Sequence, residues 1–94
     1  MNAWFADFAT RCAEIASRRR APIEAPHLNA EVAREVLDLT RVVARGSERQ
    51  FAPLAAFVAG QAVERMSRTA SLDNAEIVAF LQELKEALPQ PSAP

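Results

Sequence analysis

The 94-residue chain has one cysteine, one histidine, no tyrosine and two glycines. A lone cysteine forms no internal disulfide and a lone histidine supplies no His-based zinc site, so the disulfide-scaffold and metal-site classes are excluded and a reducing compartment is expected. Charge of one sign is lacking too: eleven basic residues face twelve acidic ones, a net charge of −1. That balance gives no general pull toward nucleic acid or an anionic membrane, and neither is expected as a partner. The longest apolar run, 54–63, is ten residues broken by Gln61, against the roughly 20 that a bilayer demands. Asp7, Arg11 and Glu14 interrupt the N-terminal stretch where a signal peptide needs an unbroken apolar segment. A cytoplasmic protein is expected.

Half of the chain is apolar, yet 20 of those residues are alanine, leaving 27 larger ones for a core. That is enough for one small domain over 1–88, and thin enough that a partner or self-association would add noticeably to its stability. Residues 89–94, PQPSAP, read as a disordered tail. Abundant Ala, Glu, Leu and Arg with few β-branched residues at helical spacing predict an all-α fold, a compact bundle of four helices with a central apolar third helix.

The first helix spans about 2–20. Trp4, Phe8 and Ile15 fall within roughly 40° of one another at about 100° per residue, while Asp7, Arg11, Glu14 and Arg18 alternate in sign on another face and predict weak pairs along the helix. Two prolines mark 21–29 as a linker ending in Asn29, a potential N-cap. The second helix, about 30–45 or a few residues longer, stacks Val32, Val36, Leu39 and Val43. Gly46 and Pro53 place the next break between them, so the third helix is expected over 53–66. It is apolar nearly all round, which predicts the most buried element, with Ala55, Ala59 and Ala62 as one close-packing seam and Ala56 with Gly60 as a second. Asp73 and Glu76 form an acidic capping box for a fourth helix that lines up Ile77, Phe80, Leu81, Leu84 and Leu88 and stops at Pro89.

Little here carries chemistry. The chain has no Gly-rich phosphate loop, nucleophile elbow or two-carboxylate constellation, so no catalysis, cofactor or metal is expected. Cys12 lies on the apolar stripe of the first helix and reads as a buried inert thiol, and His27 as an exposed loop residue. Glu64 marks the polar edge of the third helix and is spaced to pair with Arg68. Arg18, Arg19 and Arg20 complement the dipole at the end of the first helix. Arg41, Arg45 and Arg49 form one stripe if the second helix runs on to Gln50, beside the free amides of a new helix, and are the candidate anion-binding residues. Phe5, Val42, Phe51 and Val78 sit at or beyond the edges of their apolar stripes and are the candidate interaction patch. A self-complementary patch gives a twofold homodimer; otherwise it awaits another protein.

The stretch from Val36 to Gly60, VLDLTRVVARGSERQFAPLAAFVAG, together with Trp4, is similar to a small helical domain of unknown function found fused to or associated with molybdenum-cofactor guanylyltransferases. The matching features are Leu37-Asp38-Leu39, Glu48-Arg49 before the break, and Ala52-Pro53-Leu54 opening an Ala-rich helix. Arg45 stands where the family pattern often has His, and Ala55 and Ala56 where Thr follows the Pro-Leu pair. The resemblance implies association with an enzyme that attaches GMP to molybdopterin; the nearly all-apolar third helix and the absence of catalytic groups make a non-catalytic interaction module beside it the leading reading. The alternative is a small anion- or nucleotide-binding bundle built on the arginine stripe.

Overall fold

A computed structural model describes residues 3–89. Its four helices are α1 (Ala3–Arg18), α2 (Ala30–Gly46), α3 (Phe51–Ser67) and α4 (Asn74–Ala87). With no strand among the described residues, the chain is all-α. It divides into two compact units, 1–30 and 31–94. Of the expected disordered tail, all but Pro89 lies outside the described residues.

In the first unit α1 buries Ala9 and stops before the expected Arg20. Arg20 takes a left-handed backbone conformation (φ 63°), and two bonds close the helix end: the Arg20 amide donates to the Ser17 carbonyl (3.1 Å) and the Ala21 amide to the Ala16 carbonyl (2.9 Å). This closure usually employs glycine. An arginine there costs about 1–2 kcal/mol of backbone strain.

The second unit packs α2 and α4 through their periodic apolar rows. Leu39 and Leu81, 1% and 2% exposed, are the largest fully buried side chains. Around them gather Val32, Val36 and Val43 from α2 and Ile77, Phe80, Leu84 and the post-helical Leu88 from the other side. Each fully buried leucine stabilises by about 1.5–3 kcal/mol. As the acidic capping box predicts, the Asp73 carboxylate accepts the Glu76 amide at 2.8 Å and starts α4. Gly46 ends α2 where the Pro89 carbonyl oxygen stands 3.1 Å from the position a Cβ would take. Any side chain there crowds the chain leaving α4.

Between them α3 begins at Phe51, two residues before the expected Pro53. The Phe51 and Ala52 amides donate to the Glu48 and Arg49 carbonyls three residues back (2.9 and 3.1 Å), which tightens the entry. Pro53 thus occupies the third helical position, still within the first turn, where a missing N–H leaves no regular intrahelical bond unmade. A second departure matters more. Ala59 joins Leu39 and Leu81 in the core, but α3 is not the most buried element: Phe51, Leu54, Phe57 and Val58 are all exposed.

Candidate functional site

Burial on α3 is inverted with respect to size. The side turned to the core carries Ala52, Ala55, Ala56, Ala59, Ala62, Val63 and Met66, buried or half-buried. The opposite side carries Phe51, Leu54, Phe57 and Val58, with Phe57 68% exposed. Of the two small-residue seams, the one through Ala55, Ala59 and Ala62 faces the core, whereas Gly60 is exposed with nothing within 4 Å of where its Cβ would stand. The Ala56–Gly60 seam therefore receives no neighbour at Gly60, while Ala56 is half-buried. Small residues let α3 sit close to Leu39 and Leu81, because interaxial distance follows the side chains at the contact. The consequence is an apolar patch over the first two turns of α3, with the exposed Gln61, Glu64 and Arg65 farther along the same side, the kind of patch that marks an interaction site.

The first unit presents another apolar face on α1. Trp4 is 62% exposed, and Phe8 and Ile15 are each about half exposed. Trp4 stacks on Phe8 (ring centroids 5.4 Å, planes 8° apart) and meets Phe5 edge-on at 4.9 Å. Along one edge of this stripe runs a half-open groove of about 530 Å³ lined by Trp4, Phe5, Phe8, Ala9 and Cys12 with Pro26, His27 and Leu28. Along the other lie Asp7, Arg11, Glu14 and Arg18. The expected pairing within that charged row does not form: none of the four makes an ion pair or side-chain hydrogen bond among the described residues. Cys12 is half-buried rather than buried, and His27 is exposed as expected.

The proposed interaction patch is divided. Phe5 belongs to the first unit and Val42, Phe51 and Val78 to the second; Phe5 and Phe51 are exposed, Val42 and Val78 half-buried. Leu54, Phe57 and Val58 are more exposed than any of these. The edge-of-stripe criterion misses them because the first two turns of α3 are apolar all round and its polar edge, at Gln61, Glu64 and Arg65, begins only beyond them.

The arginine stripe is likewise divided. Because α2 ends at Gly46, Arg49 sits in the turn, lining a shallow depression with Glu48 and Gln50. Arg41 and Arg45 share another with Lys85, Asp38, Glu86 and Val42. Arg41 is held at 3.0 Å by Asp38, and the two carboxylates offset much of the positive charge there. Glu64 and Arg68, spaced to pair, do not.

Sequence periodicity also passes over Glu35, the one buried charged residue among those described. From α2 it meets α4, with Lys85 Nζ 3.6 Å from Oε1 and Gln82 Nε2 donating to Oε2 at 3.3 Å. Oε1 accepts no hydrogen bond. This link joins α2 to α4 in addition to their apolar contact. Among the described residues no group of three or more His, Cys, Asp or Glu is placed to hold a metal ion, and no helix is long and apolar enough to cross a membrane.

The family model for the domain of unknown function DUF6457 matches residues 1–93, and the chain belongs to that family. No curated protein and no solved structure matches it.

Proposed function

We propose that this protein is a non-catalytic helical interaction module that docks onto a partner protein through the exposed face of α3. The observation that carries this reading is the inversion on α3, which leaves Phe51, Leu54, Phe57 and Val58 at the surface. Aromatic and aliphatic anchors concentrated on one helix face supply the dry centre that protein interfaces need. The partner in this reading is a cytoplasmic molybdenum-cofactor guanylyltransferase, in keeping with the resemblance of Val36–Gly60. Titration of the purified guanylyltransferase with this protein, read by calorimetry, tests it. Binding by the parent protein, with at least tenfold loss in a Leu54→Ser/Phe57→Ser variant of unchanged helicity, supports the reading. Absence of binding removes that enzyme as the partner, and equal binding by the variant removes the α3 face.

A second reading rests on the depression where Arg41 and Arg45 meet Lys85. A phosphate or nucleotide held there would raise the melting temperature, since a ligand at 100 times its Kd adds about 2.7 kcal/mol. Thermal scans with GTP, GMP and inorganic phosphate separate the two readings, and the interaction module predicts no shift with any of them.

A further inference from the structure

We infer that α1 is a self-association helix, and that two copies of this chain pair antiparallel through Phe8 and Ile15, with Trp4 at the end of the partner's helix, about a twofold axis passing between Cys12 and Ala13. The α3 face plays no part in this contact. Three observations lead to it. Trp4, Phe8 and Ile15 form one exposed apolar stripe on a single helix. Asp7, Arg11, Glu14 and Arg18 run along one edge of that stripe, in a roughly 60° sector at about 100° per residue. And those four charges find no partner among the described residues, although their spacing suits pairing along the helix.

The order of the charges selects the occupant. When two identical helices pack antiparallel about a twofold axis, each edge of one faces the same edge of the other, reversed. The row then reads acid, base, acid, base against base, acid, base, acid. Asp7 meets the partner's Arg18 and Arg11 meets the partner's Glu14, and both pairings are centred on the same point, between Cys12 and Ala13. One register therefore satisfies all four charges on each copy. In the same register Phe8 stands within about two residues of the level of the partner's Ile15, so the apolar stripes overlap as the charges pair. Charge pairs of this kind set partner choice and orientation while burial of the stripe supplies the attraction.

The size of the stripe sets the strength. Phe8 and Ile15, each about half exposed, amount to on the order of 200 Å² of apolar surface per copy, and Trp4 adds to it only where it reaches the end of the partner's helix. That places the dimer among weak interfaces of less than about 1,200 Å² in total.

Sedimentation equilibrium on the full chain, carried into the high micromolar range, tests the proposal. The expected result is a reversible dimer whose Kd rises about tenfold in Arg11→Glu and in Glu14→Arg, because each reversal turns two attractive contacts across the axis into repulsive ones. The double variant Arg11→Glu/Glu14→Arg returns to near the parent Kd. This rescue is specific to the dimer: within one helix the double variant sets its new carboxylate one turn from Asp7 and its new guanidinium one turn from Arg18, so helix stability alone predicts no recovery. Cys12, within one residue of the axis, gives a second readout, since a short bis-maleimide should join two parent chains but not two Cys12→Ser chains. A strict monomer, a dimer indifferent to the single reversals, or a double variant as weak as the singles each overturns the proposal. A dimer lost in Leu54→Ser/Phe57→Ser and retained in the α1 variants assigns the contact to α3 and overturns it as well.

Discussion

Helices α2 and α3 are both 17 residues long and border the same core, yet they turn opposite kinds of residue toward it. α2 buries Leu39, half-buries the valines around it and exposes its arginines. α3 buries or half-buries its alanines and exposes two phenylalanines, a leucine and a valine. On α2 the charged row decides the direction, because turning it inward would bury unpaired guanidinium groups at a cost far above any packing gain. On α3 the polar residues are fewer, Gln61, Glu64 and Arg65 in its second half, and they too face outward; fit acts in the same direction, since a face of methyl groups closes over Leu39 and Leu81, whereas a face of phenyl rings would hold the helix farther off. Apolar content alone thus says how much a helix can bury without saying which side does so.

Truncating the inward and outward sides breaks this comparison most sharply. Leu39→Ala should destabilise the protein by about 3–5 kcal/mol, the sum of lost transfer energy and a cavity at a fully enclosed site, measured by urea denaturation. The next largest effect comes from Ala59→Leu, which forces extra methylenes into the close contact and should cost about 1–3 kcal/mol. An unchanged midpoint would mean that α3 has room to move away. Replacing Lys85 by Met leaves the Glu35 carboxylate buried with only Gln82 nearby, and should cost about 1–2 kcal/mol given that the lysine itself is 29% exposed. Removing both charges as Glu35→Leu/Lys85→Met should recover most of that loss, which thermal denaturation of the pair would show. The smallest effect is a gain. Gly60→Ala on the open side of α3 should add about 0.5–1 kcal/mol through helix propensity alone, while at Gly46 the Pro89 carbonyl takes back part of the same gain.

Much of the fold was readable from residue order because it rests on local physics. The 3.6-residue rows of α2 and α4, the Asp73 cap and the prolines mark helices and breaks by rules that act within a few residues. What escaped depends on distant neighbours. The left-handed turn at Arg20 ends α1 at a residue that disfavours it, so no composition signal announces it. Glu35 did leave a signal, since it lies three residues after Val32 and four before Leu39 on the inward row of α2; its partner Lys85 is fifty residues away and invisible to periodicity. The arginine stripe failed at Arg49 because it assumed a helix continuing past Gly46. For the interaction faces, apolar excess was readable as a quantity, and its position on Leu54, Phe57 and Val58 was set by packing against α2 and α4.

The central claim, that α3 packs by its alanines and offers its large residues outward, meets its most direct test in the urea unfolding of Leu54→Ser/Phe57→Ser at low micromolar concentration with apolar-dye binding read in parallel. The account predicts an unfolding free energy within about 1 kcal/mol of the parent, as for exposed substitutions, together with clearly reduced dye binding. A loss of about 3 kcal/mol or more, on the scale of Leu39→Ala, with dye binding unchanged, would show those side chains to be core and contradict it.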